Sequence, residues 1–383
     1  MEIRIYKPPD LTERKYTPIA ITFDAHSISV TENFYTFGNF EVKIASAAAA
    51  AGKFQKYLYV LIDGKFWGLI TGIEKAIDAQ GDITTITGLD LKGLTSARYT
   101  TPPGFTYEEV GGIAGFDAIT GSTETCMKHY VRNNFFQPSS PTRQIPGFEI
   151  APDLGRGLEN DRYMTRFDLL SGVLEELGTA AQVGYTVLPE LETGKLIFDI
   201  CEGVDRTANQ SDNPRVIFSV SRKNIENMNY VDSDRNLRNL FYASLSGGQF
   251  VDDIYTATIT RDDGDYPSGI YRWEQHLDIS ATHPEPGREF EELKRLALAR
   301  ADSYTTVRSL NGAIMQSSQK YGIDFKLGDY VSVVNEDWGV RMNTQITSIR
   351  VDADVSGVRH SATFGNSALT IIQRLRRDIR NGG

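Results

Sequence analysis

Alternation of apolar and polar residues is the main signal along this chain. Ile19-Ala-Ile21-Thr-Phe23, His26 to Val30 and Phe40-Glu-Val42-Lys-Ile44 put every second side chain on one face. That is the period of a half-buried strand. Tyr57 to Ile62 and Phe66 to Ile73 flank Asp63-Gly64, a dipeptide suited to the positive φ angles of a type I′ hairpin turn. A polar break at Asp78 to Asp82 leads to the strand Ile83 to Thr87. Six or seven strands over residues 1–100 predict a closed or nearly closed first β-barrel. The Ala47 to Ala51 run reads as a helical turn between them.

The same pattern returns near the end. Val331 and Val333, then Gln345, Thr347 and Ile349, fall two apart, and Asn335-Glu336-Asp337 and Asp352 to Gly357 are polar breaks suited to turns. An antiparallel meander is expected from Tyr330 to Gly365. Tyr59-Val60 precedes Trp67-Gly68 by the spacing that separates Tyr330-Val331 from Trp338-Gly339. Read as a duplication, the recurrence gives two related small antiparallel β-barrels, each with a strand that opens on Trp-Gly.

Between them the period lengthens. Ser122 to Phe135 reads as a helix. Thr165-Arg-Phe-Asp168 resembles a capping box, with Phe167, Leu170, Val173, Leu174 and Leu177 on one face and Gly178 as the stop. Val183 to Leu188 and Lys195 to Cys201 form a hairpin across Glu192-Thr-Gly194, and Gln137 to Asn160 reads as a long loop. Strands follow at Val216 to Val220, Leu240 to Leu245, Tyr255 to Thr260 and Ile270 to Leu277. A helix runs from Arg288 to about Tyr304, with Phe290, Leu293, Leu296, Ala297, Ala301 and Tyr304 inward. The fold is therefore expected to be mainly β with α+β insertions: two barrels plus peripheral α/β modules. The first barrel spans 1–100. An inserted α+β module takes 101–215 and 248–290, and the second barrel 216–247 and 291–366. An amphipathic helix closes the chain over 367–383, with Ile371, Ile372, Leu375 and Ile379 opposite Arg374, Arg376, Arg377 and Arg380.

Composition narrows the function. The 383 residues are 40% hydrophobic and 23% charged, which is ordinary for globular domains. A net charge of −10 argues against a phosphate-gripping protein. Cys126 and Cys201 are too few for a disulfide framework and fit a reducing compartment. Met1 to Asp10 lacks the apolar core of a secretion leader, and no run approaches the length of a membrane span.

Candidate chemistry is sparse. None of His26, His129, His276, His283 and His360 opens a His-Glu-x-x-His motif, and there is no Gly-x-Ser-x-Gly elbow or Walker loop. Cys126 and His129 share a helical face, but a metal needs further ligands, so a core thiol beside a surface histidine is expected. Asp262-Asp263-Gly264-Asp265 lacks the ligand alternation of a calcium loop and reads as a turn. Gly111-Gly112-Ile-Ala-Gly115 has no strand feeding it and is not a dinucleotide fingerprint. Trp67 and Trp338 could stack on a ligand, but their matched places favour packing within each barrel. The four terminal arginines are either a solvated helix face or a dock for an acidic partner. No cofactor or metal is expected.

The run Tyr321 to Val334, continuing through Asn335-Glu-Asp-Trp-Gly339 to Thr363-Phe364-Gly365-Asn366, resembles a siphophage and prophage tail-tip (baseplate) hub family. This family includes the N-terminal hub module of tail-associated lysins and is similar to the central hub of contractile-tail baseplates. Phe23-Asp24 with Gly38 to Ile44, Gly88 to Leu94, Leu196 to Thr207 and Asn224 to Asn239 extend the resemblance nearly end to end. The resemblance implies a homotrimer in which two barrels per chain surround a pore with pseudo-sixfold symmetry. Its implied partners are a distal tail protein or tail tube, the tape-measure protein, and tail fibre or receptor-binding proteins. DNA would be passing cargo only, and stable membrane insertion is not implied. The implied place is the virion tail tip, assembled in the host bacterial cytoplasm. Lysin members carry an enzymatic domain downstream, whereas this sequence ends at Gly383, so no catalytic residue transfers and a non-enzymatic role is expected. The alternatives are a tail-associated cell-wall hydrolase, a carbohydrate-binding module or a secretion-system hub of similar fold.

Overall fold

The N-terminal alternation becomes seven strands: β1 (Ile3–Lys7), β2 (Thr17–Thr22), β3 (Ala25–Asn33), β4 (Asn39–Ala45), β5 (Tyr59–Ile62), β6 (Phe66–Asp78) and β7 (Gly81–Asp90). They are seen in a computed structural model that describes residues 1–8, 15–78, 81–104, 115–246, 254–260, 266–279, 287–301, 304–315 and 319–365. Asp63 (φ 51°) and Gly64 (φ 65°) make the expected I′ turn, closed by the Lys65 N–H donating to the Ile62 carbonyl at 3.1 Å. Inward residues of these strands, among them Ile28, Val30, Phe40, Val42, Ile44, Val60 and Ile86, form one core.

The middle segment comprises β8 (Asp117–Ser122), α1 (Thr123–Val131), β9 (Phe148–Ile150), β10 (Glu159–Thr165), α2 (Leu170–Ala181), β11 (Val183–Glu190) and β12 (Lys195–Glu202). Ser122 caps α1 by accepting from the Thr125 N–H at 3.1 Å. Gly178 does not stop α2. The helix runs to Ala181 and ends on Gln182 in the left-handed region (φ 57°). A Cβ at Gly178 would lie 2.6 Å from the Val183 carbonyl oxygen, so this glycine permits close packing instead. The loop expected over 137–160 contains β9, and β10 begins at its end. β9 joins β12 in parallel while β11 and β12 pair antiparallel as expected.

The chain then forms β13 (Ile217–Ser219) and β14 (Ile225–Ser233). Next come β15 (Leu240–Ser246), β16 (Ile254–Thr260), β17 (Glu274–Asp278) and α3 (Glu289–Ala301), before β18 (Val307–Ile314), β19 (Tyr330–Asn335), β20 (Val340–Asp354) and β21 (Gly357–Gly365). Two units result: Met1–Met228 with Asn311–Phe364, and Asn229–Leu310. In the smaller unit β16, β15 and β17 form a three-stranded sheet. Leu240–Ser246 thus pairs here and not with the second meander, where the expected 216–247 boundary put it. Phe241, Leu245, Leu277, Leu293, Ala297 and Tyr304 make its core, whereas Phe290, assigned inward by periodicity, is exposed.

The molecule is mainly β. Among the described residues the strands of both meanders pair in one 13-stranded sheet, and these pairings close no barrel. The path runs β14-β18-β21-β20-β3-β4-β7-β6-β5-β1-β2, with β19 joined to β20 and β13 to β19. Setting β2 aside, it contains one six-strand arrangement twice. β3-β4-β7-β6-β5-β1 matches β14-β18-β21-β20-β19-β13 position by position, in the same chain order. The register agrees as well. Ile70↔Gly88 recurs 276 positions later as Ile346↔Phe364, and Asp78↔Gly81 as Asp354↔Gly357. The irregularity at Ile70/Gly72 recurs at Ile346/Ser348. One difference is that β1 joins β5 antiparallel while β13 joins β19 in parallel.

The register also corrects the tryptophan match. Tyr59 faces Leu69 and Tyr330 faces Gln345, but the first hairpin turns at Ile62↔Phe66 and the second only at Asn335↔Val340. The counterpart of Trp67 is Asn343. Trp67 is paired with Leu61 inside β6 and lies against Tyr6 and Tyr16, ring centroids 5.2 and 6.2 Å away. Trp338 sits in the turn before β20 and is 51% exposed.

Candidate assembly surfaces

Among the described residues, those singled out from the sequence do not converge on a reaction centre. Cys126 is fully buried in the core of the middle segment, and its thiol donates to the Gly121 carbonyl at 3.6 Å. His129 turns to Asp117, with Nε2 at 2.7 Å from Oδ1, and Asn133 donates to the other Asp117 oxygen at 3.0 Å. Both cysteines are free, and burial pushes both thiols up to about 11, away from nucleophilic use. Among the described residues no group of three His, Cys, Asp or Glu side chains is placed to hold a metal. Arg374, Arg376, Arg377 and Arg380, the helix expected over 367–383, and the Asp262 to Asp265 turn lie outside the described residues, as does Gly111 to Ala114. A pocket of about 100 Å³ is lined by Thr101 to Gly104, Asn133, Gln137 and Ser139, none of them titratable.

The charged groups that are buried hold the fold. The Lys128 ammonium, 2% exposed, donates to Glu124 Oε1 (2.6 Å), the Pro152 carbonyl (2.7 Å) and Asp199 Oδ1 (2.9 Å). Arg156 reaches the same two carboxylates through Nε and Nη2 at 2.7–2.9 Å. Burial alone would raise the Glu124 carboxyl. The hydrogen bonds from Arg156 and Lys128 outweigh it and hold the group well below the usual carboxylate range.

Two stretches of the family-like sequence meet. Asp329, in Lys326-Leu-Gly-Asp329, accepts from the Val204 N–H (2.9 Å), Arg206 Nε (2.8 Å) and the Lys326 N–H (2.9 Å). A Cβ on Gly203 would lie 1.7 Å from the Gly328 carbonyl oxygen, and one on Gly328 (φ 93°) would lie 2.1 Å from the Phe34 ring. Only glycine fits either position. The motif is a backbone junction between the middle segment and the second meander.

Among the described residues, open sheet edges offer candidate surfaces. β2 ends the 13-stranded path with Ile19, Ile21 and nearby Phe23 exposed, and β14 ends it at the other side. β6 is paired with β5 only over Phe66–Leu69, while β7 follows its other edge to Asp78. Beyond Leu69 Ile73 is 37% and Ile77 84% exposed. Edges with apolar residues are places where another chain adds.

The sequence matches the family described as Siphovirus ReqiPepy6 Gp37-like protein over residues 2–366. The chain belongs to this family. Solved structures share the fold of this Gp37-like protein. The prophage MuSo2 43 kDa tail protein from Shewanella oneidensis is 14% identical with a TM-score of 0.54, covering 96% of this chain and 98% of that one. The tail protein from Neisseria meningitidis MC58 is 12% identical with a TM-score of 0.51, covering 95% and 96%. A chain of the lidded Francisella PdpA-VgrG complex is 10% identical with a TM-score of 0.51, and the match covers 96% of this Gp37-like chain but 53% of that one. No curated protein matches the sequence.

Proposed function

We propose that this Gp37-like protein is the structural subunit of a homotrimeric tail-tip hub. The hub joins the tail tube or distal tail protein to the host-recognition apparatus and surrounds the channel through which DNA leaves. The observation that carries the reading is the doubled six-strand arrangement with its constant 276-residue register. Two like modules per chain let three chains present six similar units to a sixfold tube. The acidic balance suits a conduit for DNA, since like charge discourages sticking. Tape-measure and fibre or receptor-binding proteins would be its neighbours in the virion, and no catalytic step belongs to this role.

The test is size-exclusion chromatography with light scattering, followed by electron microscopy of the purified chain. Trimeric rings are expected. A chain that stays monomeric at high concentration, and also with its tail partners present, would refute the hub. One observation favours glycan binding as a second reading. Tyr266, Tyr271 and Trp273 are exposed on the smaller unit, and the Arg238 guanidinium lies 5.9 Å from the Trp273 ring. Sedimentation with host cell-wall sacculi, lost in Trp273→Ala, would support that reading.

A further inference from the structure

We infer that the open edge of β6, over Gly72–Ile77, receives β14 of a neighbouring copy. The inference rests on the trimer reading and names the contact that closes the ring.

The argument starts inside one chain. In the second module β19 leaves the edge of β20 after Gln345, and β3 of the first module takes it over, pairing antiparallel from Ser348↔Asn33 to Ala353↔Ile28. The same edge in the first module lies 276 positions earlier, at Gly72–Ile77 of β6. There β5 ends its pairing and no described strand replaces it. The side chains record the difference. Ile349 and Ala353 are buried, at 0% and 9%, whereas their counterparts Ile73 and Ile77 are exposed. Two isoleucines on one face of an uncovered strand are costly unless something covers them.

The occupant follows from the same correspondence. The strand on β20 is β3, and the counterpart of β3 is β14. Both are nine residues long. β14 pairs only with β18 among the described strands, so its outer edge is open as well. Laying β14 on β3 from their first residues places Met228 at Ile28, Tyr230 at Val30 and Asp232 at Glu32. Transferred to β6, the internal pairs Ala353↔Ile28, Val351↔Val30 and Ile349↔Glu32 become Ile77↔Met228, Lys75↔Tyr230 and Ile73↔Asp232. Apolar groups again cover the isoleucine face, an acid again lies opposite an isoleucine, and Asp232 sits diagonal to Lys75. Because β6 and β14 are different surfaces, the contact is head-to-tail. Three copies close a ring when its rotation and that of the internal β3–β20 junction together make a third of a turn.

The test joins the two strands covalently. Full-length chain carrying Cys201→Ser with Ile77→Cys is mixed with chain carrying Cys201→Ser with Met228→Cys, and the mixture is oxidised mildly. Directly opposed strand residues lie within disulfide reach, so covalent dimers are expected. The pair Ile77→Cys with Asn229→Cys, out of register, should give none. In parallel Ile77→Lys should convert trimer to monomer with an unchanged circular dichroism spectrum, because residue 77 is exposed within the single chain. A parent trimer that survives Ile77→Lys and gives no Ile77–Met228 crosslink would overturn the β6–β14 contact while leaving the hub standing. So would an edge that becomes protected from hydrogen exchange only when a different tail protein is added. A parent chain that never assembles would overturn both.

Discussion

Replacing Lys128 by Met tests the account of the buried charges. The ammonium is 2% exposed and holds three oxygens within 2.6–2.9 Å, one on Glu124, which has no exposed side-chain surface. Met keeps most of the aliphatic stem, so the change removes charge more than packing. Removing one member of a buried pair typically costs ~3–5 kcal/mol. Arg156 still bonds Glu124 through Nε, Nη2 and its backbone N–H, so the lower end applies, about 3 kcal/mol. The assay is urea unfolding at pH 7, with native-state hydrogen exchange across Thr123–Val131 to assign the loss to α1. Glu124→Gln and the double variant complete a cycle whose coupling should exceed about 1 kcal/mol. The pH dependence has a definite sign. Glu124 is held below its ordinary range, so its stabilisation is complete above that range and is lost as pH falls through its folded value. The gap between parent and Lys128→Met should be flat from about pH 8 to 5 and narrow below about 4. A variant within about 0.5 kcal/mol of the parent, or strictly additive single changes, would refute the reasoning.

The two tryptophans should behave differently despite their similar sequence settings. Trp67→Ala removes a ring packed on Tyr6 and Tyr16 and should cost roughly 3 kcal/mol, while Trp338→Ala, in an exposed turn, should stay within about 0.5 kcal/mol. Equal effects in thermal unfolding would contradict the register that separates them. Gly328→Ala places a methyl against Phe34 at a positive φ and should lower stability by roughly 2–4 kcal/mol, whereas Gly339→Ala, also at positive φ but with open space around it, should lose about 1 kcal/mol.

Much of the fold was legible because alternation reports which face of a strand is buried. It therefore located most strands of both meanders, the Asp63-Gly64 turn and the β11–β12 hairpin, but not β1, β14 or β18. Alternation does not name the partner strand. β3 and β20 pair across the length of the chain, and nothing local in Ala25–Asn33 distinguishes that partner from β4. The duplication was visible but misaligned. Tyr-Val and Trp-Gly line up without a gap, while the structure puts five extra residues in the second hairpin, so Trp338 slid into a position that belongs to Asn343. Gly178 was read as a stop because glycine favours helix ends, when close approach of the Val183 carbonyl was the stronger demand. The open edges carry no motif. They became visible only when the exposures of Ile73 and Ile349 could be set side by side.

The β3–β20 junction has a consequence for how the protein is made. Its two strands are about 320 residues apart, and a ribosome adding roughly 5–20 residues per second separates their appearance by about 15–60 s. Local strand pairing takes microseconds, so the N-terminal module can fold long before its partner strand emerges. During that interval β3 presents an unmatched backbone edge to a polysome crowded with identical nascent chains. A chain stalled before Val340 keeps that edge permanently, and that is where wrong association between nascent copies would begin.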